Sequence, residues 1–89
     1  MNHYIVEITD TFGGEFNYSW IRRYIVKAKS MRGAIVKIAH DYGNGWRKEH
    51  EDCDGAVYKM RGDCIGAAVI FADGAFLDEY SKNFDHKLI

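Results

Sequence analysis

The sequence predicts a single α+β domain in which a small antiparallel sheet carries one main helix on one face. Apolar and polar residues alternate near the N-terminus, a helical period follows over residues 31–42, and strand-like segments return in the second half. The predicted order is β-β-α-β-β, followed by a short C-terminal helix or strand. With 89 residues, 47% of them hydrophobic and 28% charged, the chain has the size and composition of one globular domain, residues 1–89.

The first two predicted strands form a long hairpin. Tyr4, Val6 and Ile8 recur with the period of two that is typical of a strand. The turn falls at Gly13 and Gly14, since glycine adopts positive φ without a steric penalty. This loop is longer than a two-residue turn, so we expect either a bulge or a flexible tip there.

The second predicted strand, residues 17–28, has neither a purely polar nor a purely apolar face. We therefore expect part of it to be covered on both sides. Its even-numbered positions hold the aromatic side chains, which we expect mostly in the core beneath the helix, with the odd-numbered positions on the other face. The residues expected in the core are Tyr18, Trp20, Tyr24 and Val26, those expected to be exposed are Ser19, Arg23 and Lys27, and Arg22 lies among the aromatics.

The helix is predicted over residues 31–42. Ser30 is a favoured N-cap residue, and Gly43 can supply the left-handed residue that commonly ends a helix. Between them the apolar side chains fall on one helical stripe. That stripe consists of Met31, Ala34, Ile35, Ile38, Ala39 and Tyr42.

The second half is predicted to begin with a surface loop over residues 43–55, with Trp46 turned back onto the core. Strands at 56–61 and 64–72 follow, joined by a turn at Gly62 and Asp63. In the C-terminal segment, large apolar residues recur at four-residue spacing, which fits a short helix docked on the sheet. A further strand is the alternative. The recurring residues are Phe76, Tyr80 and Phe84.

Charge is divided unevenly along the chain. Residues 1–48 carry eight Lys or Arg and four Asp or Glu, a net charge of +4, whereas residues 49–89 carry four and nine, a net charge of −5. Such a division favours orientation against a charged partner over general binding of polyanions. The acidic run at 49–54 is interpreted as a solvated loop or as a patch offered to a basic partner.

The residue patterns do not indicate catalysis, a metal or a cofactor. His50, Cys53, Cys64 and His86 lack the paired spacing of zinc ligands, so we interpret them as loop side chains and a buried thiol in the strand at 64–72. The glycine-containing turns lack the lysine of a phosphate-binding loop. Neither a membrane span nor a signal peptide is apparent. We therefore expect a cytoplasmic protein that is not an enzyme, has no cofactor and keeps its cysteines reduced.

Binding is the function that the residue types favour. Trp, Tyr and Arg dominate the hot spots of protein interfaces, and all three are concentrated in the second strand. The alternative is a single-stranded nucleic-acid-binding accessory protein, since aromatic rings stack on bases; a sequence pI near 6.4 argues against it. The residues predicted to bind a partner are Arg22, Arg23, Lys27, Arg32, Trp46, Arg47, Glu49, Glu51 and Asp52.

Three segments of the first half carry a resemblance to a known group of proteins. They are residues 7–15 (EITDTFGGE), 17–24 (NYSWIRRY) and 30–35 (SMRGAI), and they resemble small orphan proteins of phages and mobile elements, a group that includes anti-CRISPR proteins. The resemblance implies a small inhibitor that occupies a surface of a host defence complex, such as a CRISPR effector, and blocks nucleic-acid binding or nuclease recruitment. The resemblance assigns no site residue. We expect the protein to act in the cytoplasm of the bacterial host, as a monomer or homodimer.

Overall fold

A six-stranded mixed sheet with one helix on each face makes up the fold. The structure is a computed structural model and describes residues 1–43 and 45–89. The strands lie in the order β3-β4-β5-β1-β2-β6. In chain order the elements are β1 (Asn2–Phe12), β2 (Glu15–Ala28), α1 (Met31–Tyr42), β3 (Trp46–Glu51), β4 (Gly55–Met60), β5 (Ile65–Ala72), α2 (Gly74–Asn83) and β6 (Lys87–Leu88).

The predicted fold class is wrong in its topology. The segment expected to be a loop contains β3, which pairs with β4 from Trp46↔Met60 to Glu51↔Ala56. Every residue of β3 after Trp46 is exposed, so no alternation of apolar and polar residues marks the strand. A second helix packs on the opposite face of the sheet, and β6 adds a parallel strand beside β2. With two residues, β6 is too short to show any period.

The first strand occupies the centre of the sheet. It pairs antiparallel with β2 on one side and with β5 on the other. Ile5, Val6 and Ile8 are fully buried, because their side chains alternate between two covered faces. Of the two alternatives expected for this hairpin, the bulge is present, as a shift in strand register between Thr9 and Thr11.

Helix α1 covers one face and forms the larger core. The predicted bounds and N-cap are confirmed: the Ser30 Oγ accepts a hydrogen bond from the Gly33 N–H at 3.0 Å. Gly43 follows the helix with φ of 92°, a conformation that glycine adopts readily. The predicted position of Trp46 is also confirmed, since its side chain is buried in this core. Other core residues on this face are Tyr4, Val6, Ile8, Tyr24, Val26, Ile35, Ile38, Tyr58 and Val69.

Helix α2 covers part of the other face, so the helix is the correct alternative for the C-terminal segment. Its Tyr80 packs in a small core with Ile5 and Ile25. The Tyr80 hydroxyl also donates a hydrogen bond to Glu7 Oε2 at 2.7 Å, and Arg23 Nε lies 3.3 Å from the same oxygen. Burial, more than the Glu7 carboxylate, raises the pKa of Tyr80 above its usual value, so Tyr80 remains a donor at neutral pH.

Arg23 was expected to be exposed, and this expectation is wrong. Its side chain is partly buried beside α2. Its guanidinium carbon lies 4.8 Å from the ring centroid of Phe84, just after the helix. The side chain is 26% exposed. Arg23 therefore joins β2 to the C-terminal helix through an ion pair with Glu7 and a cation–π contact.

Candidate binding surface

Exposed aromatic side chains are concentrated near the turn of the β1–β2 hairpin. Phe12 is 81% exposed, Tyr18 58% and Trp20 40%. Arg22, farther along β2 where it pairs with Ile8, is exposed as well. We refer to these four residues as the hairpin end.

The expectation that Tyr18 and Trp20 lie in the core is therefore wrong, whereas the buried Tyr24 and Val26 confirm the remainder of that prediction. The Tyr42 ring, at the last residue of α1, packs edge-on against the Tyr24 ring at 6.3 Å. Because α1 ends there, the part of β2 that precedes Tyr24 extends beyond the cover of the helix.

The backbone at Tyr18 is held in an unusual conformation. Its φ is +58°, which costs a residue with a Cβ roughly 1–2 kcal/mol. The Asp10 carboxylate supports this conformation from the facing strand. Its Oδ2 accepts a hydrogen bond from Asn17 Nδ2, and its Oδ1 accepts one from the Ser19 N–H, both at 2.9 Å. These two residues flank Tyr18 in the chain, so a single side chain fixes both ends of the distorted segment.

The hydrogen bonds also perturb Asp10 itself. The bond from Asn17, followed by those from Ser19, lowers the pKa of Asp10 from 3.8 to about 2. The neighbouring Thr9 is buried, and its hydroxyl donates to the Trp20 carbonyl oxygen at 2.8 Å. The segment that carries the exposed aromatic rings is thus tied to β1 by side-chain hydrogen bonds as well as by strand pairing.

A cationic groove adjoins the hairpin turn. It has a volume of about 570 Å³ and is lined by β3 and β4 and the residues that follow β4. Lys59 joins the groove to the hairpin, since its ammonium group donates to the Gly14 carbonyl oxygen and lies 3.2 Å from Glu49 Oε2. The lining residues are Arg47, Lys48, Glu49, Lys59, Met60, Arg61 and Gly62.

Phe16 connects the aromatic and cationic parts of this surface. Its ring lies over Gly66 of β5, where an added Cβ would come within 2.5 Å of Phe16 Cε1. Gly66 pairs with Lys59 on β4, and the Phe16 ring contacts the Tyr18 ring edge-on at 6.0 Å. The sequence interpretation missed both Phe16 and Lys59. A glycine within an apolar strand often marks the close approach of another group, and Gly66 was the signal available.

The nine predicted binding residues do not form one site. Arg22 lies in the hairpin end, and Arg47 and Glu49 line the cationic groove. Arg23 is partly buried beside α2. Lys27 is exposed at the far end of β2, where it pairs with His3.

The other four predicted residues lie around β3. Arg32 and Trp46 line a shallow groove of about 160 Å³ between α1 and the start of β3. Glu51 and Asp52 are exposed where β3 ends. The nine residues are therefore divided among separate places. Arg47 and Glu49 come together beside the hairpin, and Arg32 and Trp46 come together in the smaller groove.

The residues considered for metal binding are found on the surface. Cys64, expected to be a buried thiol, is exposed together with Cys53, because β5 begins one residue later than predicted. Within the described residues, the side chains close enough to share an ion are Asp52, Cys53 and Asp54, all exposed. Asp52 already accepts hydrogen bonds from the backbone N–H groups of Asp54 and Gly55, which lower its pKa. This arrangement closes the turn between β3 and β4.

The fold and this surface define a small α+β protein whose sheet carries exposed aromatic rings beside a cationic groove. No protein-family model, curated protein or solved structure matches the chain. Among the described residues, no helix has the length and apolar character needed to cross a membrane.

Proposed function

We propose that the protein is a non-enzymatic inhibitor that binds a host protein complex through the hairpin end. The observation that carries this proposal is the exposure of Tyr18, Trp20 and Arg22 along β2, with the backbone around Tyr18 held by Asp10. Trp, Tyr and Arg are the residues most enriched at interface hot spots. A surface that is already rigid loses little conformational entropy when it binds, and affinity benefits accordingly.

The resemblance to phage and mobile-element proteins leads us to propose a CRISPR effector, or a similar defence complex of a bacterial host, as the target in the cytoplasm. Inhibition would follow from occupying a surface needed for nucleic-acid binding or nuclease recruitment. Surfaces that bind nucleic acid are basic. Glu51, Asp52 and Asp54, exposed around the β3–β4 turn, offer a second, acidic contact for such a surface.

The test compares hairpin-end variants with exposed controls in a target-cleavage or phage-protection assay. Trp20→Ala is expected to weaken inhibition about thirtyfold, because truncating a hot-spot side chain costs about 2 kcal/mol or more. Phe76→Ala is the control for loss of an exposed aromatic on α2, and Lys29→Glu is the control for an Arg22→Glu charge reversal. Full inhibition by the Trp20→Ala, Arg22→Glu double variant, with an unchanged melting temperature, would contradict the proposal.

A second candidate function rests on a separate observation. Phe16 and Tyr18 lie next to a groove containing Arg47, Lys59 and Arg61, an arrangement able to stack bases and neutralise phosphates. A fluorescent single-stranded oligonucleotide should then bind, with log affinity falling against log salt by about 0.7 for each phosphate contacted. Arg47→Glu should reduce that binding and Lys29→Glu should not. Undetectable binding at low salt would remove this candidate.

A further inference from the structure

Strand β3 forms one edge of the sheet and carries its charges in a definite order. Within the described residues, no strand lies beyond it. Arg47 and Lys48 come first, acidic residues follow, and all are exposed. Charged side chains on an edge normally prevent pairing with another strand. The acidic residues of this segment are Glu49, Glu51, Asp52 and Asp54.

This order of charges has a different consequence for a second copy of the chain. When two identical strands pair antiparallel, the start of each lies opposite the end of the other. The basic start of β3 then faces the acidic end of its copy. We propose that β3 pairs with β3 of a second copy about a two-fold axis perpendicular to the sheet, so that the two sheets become continuous.

The faces of the sheet restrict the register of this pairing. Lys48 pairs with Tyr58 and Glu51 with Ala56, and both β4 partners belong to the core beneath α1. Lys48 and Glu51 therefore lie on the α1 face, and Arg47 lies on the opposite one. Because of the bulge between Lys48 and His50, Glu49 and His50 together occupy one position of the strand ladder. Residues directly opposite each other must lie on the same face of the sheet. The allowed registers therefore differ by shifts of two ladder positions.

Charge selects among the allowed registers. One of them places Lys48 opposite Lys48 of the copy, which is unfavourable. Another places Lys48 opposite Glu51 and Arg47 opposite Asp52, and two-fold symmetry repeats both contacts. In that register the axis passes through the bulge, where the two Glu49 side chains approach. Each Glu49 carboxylate is 3.2 Å from Lys59 Nζ of its own chain, which offsets their repulsion.

Backbone hydrogen bonds supply most of the affinity in such strand addition, and side chains supply the specificity. Lys48 and Glu51 already form an exposed pair within the chain, with Nζ and Oε1 3.5 Å apart. Exposed ion pairs contribute little to stability. Replacing this pair within the chain by the same pair between two copies therefore leaves the free energy of dimerisation nearly unchanged. The charges thus determine which strand is accepted and in which register.

An apolar surface beside the same edge supports the proposal. The groove between α1 and the start of β3 is lined by Val36 and Trp46 among others, and Val36 is 54% exposed. This groove lies on the α1 face next to the pairing edge. A second copy would remove part of this apolar area from water and thereby add to the main-chain contribution.

The experiment measures the dimer dissociation constant by sedimentation velocity for the wild-type chain and three variants. The single variants Lys48→Glu and Glu51→Lys each bring like charges together twice, and each should weaken dimerisation about tenfold. The double variant restores opposite charges in both contacts and should recover dimerisation to within about threefold of wild type. Equal melting temperatures of the four proteins, measured at a concentration at which all are monomeric, would show that the fold is retained.

Crosslinking tests the register independently. In a Cys53→Ser, Cys64→Ser background, His50→Cys places a thiol next to its own copy at the axis and should give a disulfide-linked dimer on oxidation. Lys82→Cys on α2 is the control and should give none. A wild-type chain that stays monomeric at about 1 mM, single variants that dimerise like wild type, or a double variant that fails to recover would each overturn the proposal.

Discussion

The hairpin end and the β3 edge belong to one sheet but expose very different side chains. The hairpin end presents aromatic rings on a backbone that Asp10 holds in place. The β3 edge presents charges on a plain strand with one bulge. Aromatic rings on a fixed backbone provide binding energy for a partner of matching shape. Ordered charges provide little energy but discriminate between partners and registers. If both proposals hold, the hairpin end supplies affinity for the partner and the β3 edge supplies selectivity.

The largest expected difference between the two regions is in how much a substitution to alanine lowers the free energy of unfolding. Ile8 is fully buried beside Arg22 in the hairpin, and Ile8→Ala should lower the free energy of unfolding by about 3–4 kcal/mol, because it leaves a cavity. Lys48→Ala on the β3 edge should change it by less than about 0.5 kcal/mol. Urea denaturation followed by circular dichroism measures both. Similar values for the two variants would contradict the difference in burial.

The next effect concerns the anchored part of β2. Tyr80→Phe removes the hydroxyl that donates to Glu7 and should cost about 1.5 kcal/mol, as expected for a hydrogen bond to a charged acceptor. Phe76→Leu, at an exposed position of the same helix, is the control and should be nearly neutral. Urea denaturation again provides the measurement. A neutral Tyr80→Phe variant would show that α2 is held by its apolar contacts alone.

A smaller effect should reveal the backbone strain in the hairpin end. Tyr18→Gly and Tyr18→Ala both remove the ring, but glycine accepts a φ of +58° and alanine does not. The glycine variant should therefore be more stable than the alanine variant by about 1 kcal/mol. Partner binding should be weakened to a similar extent in both, since both lack the aromatic ring. Equal stabilities would contradict the conformation of Tyr18.

The smallest effect is a dependence on pH. The pKa of Asp10 is lowered from 3.8 to about 2 in the folded protein. Its ionised form therefore contributes stability that is fully present above about pH 4 and is lost as the pH falls towards 2. The melting temperature of wild type should exceed that of Asp10→Asn at neutral pH, and the gap should close over this range. A gap that persists at pH 2 would show that Asp10 acts by another means.

Local signals determined how much of the fold was predictable. Ser30 and the apolar stripe after it both indicated α1, and its bounds agree with the structure. Strand β3 was missed because its exposed, charged residues resemble a loop, and its existence depends on pairing with β4. The periodic spacing of apolar residues reveals only strands that bury one face. An edge strand whose side chains are nearly all exposed has no such spacing and cannot be recognised in this way.

The candidate site shows a second limit of the sequence. Alternation along β2 placed Tyr24 correctly, but it gave no information on how far α1 extends along that strand. Trp20 was therefore assigned to a face that is covered only farther along. Arg22 was predicted as a binding residue, whereas Lys59 was not, since its proximity to the hairpin turn arises from pairing across four strands. Contacts between distant segments leave no pattern in the local sequence.

The central position of β1 also affects how the protein folds. Strand β1 pairs with β5, which lies far from it in the chain, and the Glu7–Tyr80 hydrogen bond joins residues 73 positions apart. Closing such long loops slows folding relative to proteins built from local contacts. During synthesis, α1 can cover one apolar face of the β1–β2 hairpin early, but the face with Ile5 and Ile25 remains uncovered until α2 has left the ribosome. A chaperone that binds exposed apolar strands would find its best target in this protein during that interval.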